Sequence, residues 1–284
     1  MPKDKPSRTA LKVAFSIVTL GSKPGMEAIL PSGIVDATRK LLVASGAAGE
    51  ITVKWAQSQT SVAIYEAFDW MLPGQFEAFA HRKAFCERQV REGIDDGATQ
   101  ILVLGAGYDT LGWRLAPEFS KVKFFEIDHP ATAHLKARGI ESMGRRKNLH
   151  LVAGDLGKRK LSDVLKNDKS WDLSAQTVII AEGLVMYLSP EAVRDLFCQS
   201  AALVGSGSRI AFSYIPAGAD GRPDAGLWTG LMLYLQKVAG EPWIWSIRPE
   251  ELGEFLEETG WTISHEEAGG ARKHGVEFYA MATK

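Results

Sequence analysis

The chain has 284 residues, of which 45% are hydrophobic and 24% are charged, and its formal net charge is −1 from 33 basic and 34 acidic side chains. This composition predicts a globular domain rather than a disordered chain, and so small a net charge argues against a nucleic-acid-binding protein, which neutralises many phosphates. The most basic stretch, from Lys136 to Lys160, is expected to be solvated helix and loop surface.

Cysteine usage and hydropathy indicate the compartment. Cys86 and Cys198 have no CxxC neighbour, so neither a disulfide framework nor a zinc site is expected. No apolar run approaches the roughly 18 residues needed to span a bilayer, and the first residues do not read as a signal peptide. We therefore expect a cytoplasmic protein with no membrane partner.

The first hundred residues predict helices. Apolar side chains recur at helical spacing from Ser7 to Leu20, from Ile34 to Ala44 and from Gln75 to Glu92. The segment from Gly93 to Gly97 is expected to break the last helix. This pattern predicts a helical N-terminal cap over residues 1–97, followed by a core over residues 98–284.

Short apolar runs alternate with helical stretches in the core. Strands are expected at Gln100–Leu104, Val122–Ile127, Leu149–Ala153, Thr177–Ala181 and Arg209–Ser213. Helices are expected at Leu111–Ala116, Ala131–Ser142, Leu161–Leu165 and Pro190–Val204. This alternation predicts an α/β fold with a mainly parallel sheet covered on both faces.

The C-terminal region predicts a helix and a closing antiparallel pair. The helix runs from Glu250 to Thr259, and strand-like runs follow at Trp261–Ser264 and Gly275–Ala282, with a turn at Gly269 and Gly270.

An insertion at about residues 214–249 precedes this helix and contains the aromatic side chains of Trp228, Tyr234, Trp243 and Trp245. They belong either to the core or to a lid or substrate wall, because long insertions after strands are often functional.

Glycines and an acid mark the first two strand ends. Gly105, Ala106 and Gly107 follow the first strand and precede a helix, so the backbone can turn sharply, approach a ligand and offer helix N–H groups. Asp128 ends the next strand, where a carboxylate is suited to accept hydrogen bonds from the ribose hydroxyls of an adenosine. The alternative for Asp128 is a helix cap before His129.

The third and fourth strand ends also carry acids. Asp155 stands beside Leu156, a pair suited to the amino edge and the face of an adenine ring. Glu182 follows the fourth strand and could stabilise a cationic methionine group, although a buried acid satisfied by backbone N–H groups is the alternative. Since the carboxyl ends of parallel strands share one sheet edge, these groups are expected to contact one ligand.

The same stretches resemble the leucine carboxyl methyltransferase family, including bacterial relatives linked to polyketide-type O-methylation. Together with Phe79–Arg82, the matching stretches are Val103–Leu115, Phe125–Pro130, Gly154–Leu156 and Ala181–Pro190. Residues 20–33 match the usual start of the family poorly, so the identity of the methyl acceptor cannot be inferred from the resemblance.

The resemblance implies a Rossmann-like class I methyltransferase, with a mainly parallel seven-stranded sheet and S-adenosyl-L-methionine as the cofactor, which leaves as S-adenosyl-L-homocysteine. It implies that Arg82 holds the methionine carboxylate, Asp128 the ribose, Asp155 and Leu156 the adenine, and Glu182 the methionine end. The expected cofactor-binding set is therefore Arg82, Gly105, Ala106, Gly107, Asp128, Asp155, Leu156 and Glu182.

We therefore predict an O-methyltransferase that acts on a small-molecule carboxylate or hydroxyl. No histidine stands in a recognisable base motif, which favours a carboxylate acceptor, already ionised at neutral pH, or catalysis by positioning alone. Tyr187 and Tyr214 are candidates for shaping the acceptor pocket, but no catalytic residue is assigned. Histidine spacing indicates no metal.

Two alternatives compete with this prediction. A nicotinamide-dependent oxidoreductase would also use Gly105, Gly107 and Asp128, but Thr110 stands where its third glycine would be, and the closing antiparallel pair favours methyl transfer. A catalytically silent cofactor-binding regulatory protein would retain the fold without turnover; the acids at successive strand ends argue against it. The sequence does not predict an oligomeric state.

Overall fold

A computed structural model describes residues 6–70, 72–166, 168–267 and 276–284. One seven-stranded sheet has the order β3-β2-β1-β4-β5-β7-β6. The strands are β1 (Gln100–Leu104), β2 (Lys123–Asp128), β3 (Leu149–Ala153), β4 (Thr177–Ala181), β5 (Arg209–Tyr214), β6 (Thr262–Glu267) and β7 (Phe278–Thr283). Strands β1 to β5 pair in parallel, whereas β7 runs antiparallel to both β5 and β6. The predicted α/β class and closing antiparallel pair are confirmed.

The helices of the described ranges surround this sheet. They are α1 (Arg8–Leu20), α2 (Ile34–Ala44), α3 (Glu50–Ala56), α4 (Gln59–Ala67), α5 (Gln75–Asp95), α6 (Leu111–Leu115), α7 (Pro130–Met143), α8 (Leu161–Leu165), α9 (Pro190–Ala202), α10 (Thr229–Ala239) and α11 (Pro249–Glu258). None of them combines the length and the apolar character that crossing a bilayer would require.

The strands form because their side chains are apolar on both faces. Every residue of β1 and β4 is buried, as expected for strands covered by helices on both sides of a parallel sheet. One cluster of buried side chains lies on one face around Phe125, Ile179 and Phe212, and a second lies on the other face around Ile101, Phe124 and Val178. Strand bounds agree with the predicted runs to within a few residues at each end.

The predicted end of this helix between Gly93 and Gly97 is confirmed, but Gly93 itself is still helical. Helix α5 continues through Gly93 to Asp95, and a Cβ at this position would overlap the Val178 side chain of β4. Gly93 is therefore a point of close helix–sheet approach, and its missing side chain lets α5 pack on the sheet. The first residue past the helix with a positive φ is Gly97, at 104°.

Helix α5 belongs to the predicted cap by sequence but packs against β4 and β5. The division into residues 1–97 and 98–284 accordingly stays a proposal. Helices α3, α4 and α10 were not predicted from the sequence. The expected turn at Gly269 and Gly270, and the expected strand start at Gly275, lie outside the described residues.

Candidate functional site

A cavity of about 460 Å³ lies at the carboxyl edge of the sheet, within the size range of small-molecule sites. The sheet order reverses between β1 and β4, and clefts at such switch points are the usual ligand sites of open α/β sheets. All eight residues expected to bind the cofactor line this cavity: Arg82, Gly105, Ala106, Gly107, Asp128, Asp155, Leu156 and Glu182.

The glycine loop after β1 forms a narrow cradle. Gly105 and Gly107 have φ of 65° and 48°, a region that favours glycine. An added Cβ would lie 2.9 Å from Leu184 Cδ1 at Gly105 and 3.0 Å from Ala10 Cβ at Gly107. The backbone N–H of Ala106 donates to the Ile127 carbonyl at 3.0 Å. Glycine is thus favoured at both positions, because φ is positive and because an added side chain would crowd Leu184 or Ala10.

Asp128 fixes this loop from the end of β2. Its Oδ2 accepts a hydrogen bond from the Gly107 N–H at 2.6 Å. Burial raises the pKa of Asp128, although the Gly107 N–H and the Lys136 ammonium oppose the rise. The helix-cap alternative for Asp128 is wrong, because His129 is the N-cap of α7 and its Nδ1 accepts from Ala131 N at 3.4 Å.

Asp155 and Leu156 lie at a more open part of the cavity. The Asp155 carboxylate accepts from Gly157 N at 3.1 Å and from Lys158 Nζ at 2.6 Å. Burial opposes its charge, but the Lys158 ammonium prevails and the pKa of Asp155 is lowered. Leu156 packs against the core cluster of the same sheet face, which places an apolar side chain beside an ionised carboxylate.

Arg82, Lys83 and Glu182 form the buried end of the cavity. Arg82 Nε donates to Glu182 Oε1 at 2.8 Å, and Lys83 Nζ lies 3.0 Å from Glu182 Oε2. Burial opposes both cations, yet the neighbouring carboxylates raise the pKa of Arg82 and that of Lys83. The Glu182 side chain is 6% exposed and pairs with two cations, so the alternative in which backbone N–H groups satisfy it is wrong.

Two acids outside the expected cofactor-binding set complete this end. Asp109 accepts from Lys83 Nζ at 2.8 Å through Oδ2 and from Leu111 N at 2.9 Å through Oδ1. Glu277 pairs with Arg82 Nη1 through Oε1 and accepts from the Ser213 hydroxyl at 2.7 Å through Oε2. We call the five side chains Arg82, Lys83, Asp109, Glu182 and Glu277 the buried charge cluster.

The charges of this cluster do not balance. Its five members are 5–9% exposed by residue or side chain, and three carboxylates face two cations. Burying an uncompensated charge is costly, so a cluster with one excess negative charge favours a cationic ligand. Burial opposes the charge of Asp109, but the nearby Lys83 and Lys136 ammonium groups lower its pKa well below the usual range.

Lys136 corrects the expectation that residues 136–160 are solvated surface. It is 2% exposed, and its Nζ lies 2.7 Å from Glu126 Oε2 of β2. Burial raises the pKa of Glu126, although the Lys136 charge opposes the rise. This ion pair lies next to Asp109 and Asp128 and lends positive charge to both carboxylates.

The remaining wall of the cavity comes from α1, α5, the segment between β4 and α9, and the insertion. Its side chains are largely apolar or aromatic and include Phe79, Tyr187, Met232, Trp243 and Ile244. The side chain of Glu241 accepts from Thr9 N at 2.9 Å and also from the Thr9 hydroxyl, which joins the insertion to the start of α1.

The insertion divides its aromatics between the two alternatives left open by the sequence. Trp243 lines the cavity and Trp245 is buried in the core, whereas Trp228 and Tyr234 are exposed. Tyr187 lines the cavity as expected for an acceptor-pocket residue. Tyr214 is fully buried in the core cluster and is not among the cavity-lining residues.

The residues present fit S-adenosyl-L-methionine. Among the described residues, Nη2 of Arg82 has no hydrogen-bond partner, which leaves a donor for the methionine carboxylate. The excess carboxylate suits the ammonium and sulfonium groups, and the glycine cradle with Asp128 suits a ribose. Within the described ranges, no group of three or more His, Cys, Asp or Glu side chains could hold a metal ion.

Comparison with known sequences identifies relatives for this arrangement. The sequence profile of the leucine carboxyl methyltransferase family matches residues 30–201. A protein of Mycolicibacterium gilvum is 31% identical over 142 residues, which are 50% of this chain and 46% of that protein. One of Mycobacterium marinum is 33% identical over 149 residues, 52% of this chain and 47% of that protein. Both bear the name “Putative S-adenosyl-L-methionine-dependent methyltransferase”. The chain thus spans about half the length of the curated relatives it matches.

A solved structure shares the fold over almost the whole chain. The crystal structure titled as a “putative methyltransferase” from Thermobifida fusca superposes with a TM-score of 0.61. The superposition covers 92% of this chain and 97% of that one at 14% sequence identity. At this identity the likeness concerns the fold alone.

Proposed function

The chain belongs to the leucine carboxyl methyltransferase family, and we propose that it is an S-adenosyl-L-methionine-dependent enzyme that methylates an oxygen of a small molecule, a carboxylate or a hydroxyl. One observation carries this proposal. Groups from four strand ends and from α5 converge on one cavity, in the order that an adenosine joined to a methionine requires.

The proposed binding roles follow from the positions of the side chains. Asp155 and Leu156 flank the adenine, and Asp128 accepts from the ribose hydroxyls while it holds Gly107. At the buried end, Arg82 pairs with the methionine carboxylate and Glu182 with the cationic groups. When bound, the cofactor supplies a methyl group activated by its sulfonium.

The acceptor chemistry follows from the groups beside the methionine end. His129 is the one histidine among the cavity-lining residues that the structure describes, and it lies 3.9 Å from Asp155, on the adenine side. Burial raises the pKa of Tyr187 to about 12, so its hydroxyl stays protonated near neutral pH. Glu182 is engaged by two cations. An acceptor that is already ionised, such as a carboxylate, therefore fits best.

Methyl transfer here would rest on alignment and exclusion of water. The apolar side chains of Phe79, Met232 and Trp243 can hold an acceptor against the methyl group and exclude water from it. No proton has to be removed from a carboxylate, so no residue of this chain is assigned as a base.

Calorimetric titration tests the cofactor, and an acceptor screen tests the reaction. Purified protein is titrated with S-adenosyl-L-methionine, S-adenosyl-L-homocysteine and NADH, beside Asp155→Ala and the control Asp195→Ala, whose carboxylate bonds Gln199 on α9 outside the cavity. Aromatic and aliphatic carboxylic acids are then screened for release of S-adenosyl-L-homocysteine, followed by matched phenols and alcohols.

We expect both sulfur compounds to bind, Asp155→Ala to weaken both, and Asp195→Ala to leave them unchanged. Turnover with carboxylic acids but not with the matched alcohols would support the carboxylate acceptor, and the reverse would assign a hydroxyl. Failure of folded wild-type protein to bind either sulfur compound refutes the proposal, whereas binding of NADH alone supports an oxidoreductase. Binding without turnover on any acceptor supports a regulatory protein.

A further inference from the structure

Glu277 lines the cavity from the start of an antiparallel strand, whereas the other acids follow the ends of parallel strands. Strand β7 runs antiparallel to β5, and Phe278 at its start pairs with Tyr214 at the end of β5. The start of β7 therefore lies at the sheet edge where the parallel strands end. Glu277 directly precedes this strand, which brings its carboxylate beside Arg82 and Glu182.

Hydrogen bonds hold the Glu277 carboxylate in place. The Ser213 hydroxyl accepts from Gly183 N at 2.8 Å and donates to Glu277 Oε2 at 2.7 Å. Arg82 pairs with the other oxygen and lies over the backbone of Gly183, where an added Cβ would come 3.3 Å from Nη1. Glu277 is thus 7% exposed and yet lines the cavity.

Glu277 is the carboxylate whose charge the cluster leaves uncompensated. Glu182 contacts both cations, and Asp109 pairs with Lys83 and caps the first turn of α6. Glu277 shares its one cation, Arg82, with Glu182, and its other oxygen accepts a hydrogen bond from the neutral Ser213 hydroxyl. Without its charge, two carboxylates would face two cations and the cluster would be neutral.

We propose that Glu277 makes this site select the positively charged cofactor over its neutral product, an inference that rests on the methyltransferase function proposed above. S-Adenosyl-L-methionine carries a sulfonium, an ammonium and a carboxylate, a net charge of +1. S-Adenosyl-L-homocysteine has lost the sulfonium charge and has a net charge of zero. Every other polar group of the two molecules is the same, so the charge of the pocket decides between them.

The selection has a functional consequence. When the methyl group moves to the acceptor, an oxygen lone pair forms the new O–CH3 bond and the sulfur keeps the electron pair of the broken S–CH3 bond. A carboxylate acceptor thereby becomes a neutral ester, and the cofactor loses the positive charge that balances Glu277. The excess negative charge of the cluster is then no longer compensated by the ligand, which lowers the affinity for the product. Glu277 thereby favours release of the product and its replacement by fresh cofactor.

A purely structural role for Glu277 makes a different prediction. If the Glu277 carboxylate only oriented Arg82, its loss would lower the affinity for both compounds equally, since both present the same methionine carboxylate to Arg82. The ratio of the two affinities separates charge selection from positioning.

The test measures this ratio by calorimetry for three ligands: S-adenosyl-L-methionine, S-adenosyl-L-homocysteine and sinefungin, in which an amine-bearing carbon replaces the sulfonium and keeps the charge. Glu277→Gln removes the charge at nearly constant shape, and Glu277→Asp retains it. Ser213→Ala removes the hydroxyl that holds Glu277 without changing any charge. Melting curves and circular dichroism verify that each variant is folded.

We expect wild-type protein to bind both cationic ligands more tightly than S-adenosyl-L-homocysteine. Glu277→Gln should reduce this preference roughly 100-fold, the effect of one unit charge several ångströms away at an effective dielectric constant of about 20. Glu277→Asp and Ser213→Ala should keep the preference. Should Glu277→Gln not fold, Asp109→Asn removes one charge from the same cluster and must lower the same ratio.

Two results would overturn this inference. One is equal affinity of the wild-type protein for all three ligands, and the other is equal weakening of all three by Glu277→Gln. Either result leaves the proposed function standing, because the sulfur compounds still bind. A wild-type protein that binds none of them refutes the proposed function itself.

Discussion

Replacing Asp128 with asparagine should stabilise the ligand-free protein while it weakens cofactor binding. Burial raises the pKa of Asp128, so the folded state holds the proton more tightly than the unfolded state does. Stability is then lost as the pH rises from the ordinary aspartate pKa to the raised folded value. The neutral amide avoids this loss, and its oxygen can still accept from Gly107 N.

The magnitudes of the two effects differ. Above the raised pKa, Asp128→Asn should gain on the order of 1 kcal/mol in unfolding free energy, or about 2 °C in Tm. Hydrogen bonds to a charged group contribute about 1.5–3 kcal/mol each, so loss of the carboxylate at the ribose should weaken binding about 100-fold. At a cofactor concentration of 100 times the wild-type Kd, ligand stabilisation should fall from about 2.7 to about 0.4 kcal/mol.

Thermal melts with and without S-adenosyl-L-methionine, from pH 4 to pH 8, measure both effects. Asp163→Asn is the control, because this exposed acid does not line the cavity and the Lys166 side chain lowers its pKa. It should leave the ligand-induced shift intact and give no gain in Tm at neutral pH. The reasoning is refuted if Asp128→Asn lowers the Tm of the ligand-free protein at pH 7, or if its ligand-induced shift equals that of the wild type.

Three further predictions follow from the same site. Arg82→Met leaves Glu277 buried without a cation and should reduce the unfolding free energy by about 3–5 kcal/mol in urea denaturation; a loss below about 1 kcal/mol would contradict the pairing. Tyr187 has a pKa raised to about 12 by burial, so Tyr187→Phe should leave the shape of the kcat/KM profile unchanged between pH 6 and pH 10, and disappearance of a limb would assign the tyrosine as a base. Gly105→Ala, at φ 65° with Leu184 2.9 Å from the new Cβ, should cost about 1–2 kcal/mol, whereas Gly253→Ala on α11, with open space around its Cβ, should be neutral or stabilising in the same melts.

The sheet and most of the proposed cofactor site could be predicted from the sequence because both follow from one rule. Parallel strands buried on both faces read as short apolar runs, and their carboxyl ends must share one edge. Residues that follow those runs, such as Gly105, Asp128 and Glu182, therefore meet in the fold whatever the details of packing.

Glu277 could not be found in this way because it precedes its strand. Only the antiparallel register of β7 on β5 brings it to the same edge, and that register is not written in the local sequence. Lys136 shows a second limit, since a cation buried against Glu126 looks like any helix-surface lysine until the facing strand is known. The apolar residues of α10 are largely exposed, for example Leu231 and Leu235, so no single buried stripe marked that helix.

The bond between Thr9 and Glu241 joins two cavity walls that lie 232 residues apart in the chain. Glu241 is 4% exposed, so the Thr9 amide proton exchanges with solvent only when α1 and the insertion separate locally or the whole domain unfolds. The rate of deuterium uptake at this amide therefore reports how often this wall of the cavity opens. A bound ligand also slows exchange by raising the global stability. If it slows uptake at Thr9 by more than this effect explains, molecules leave the cavity between these two segments.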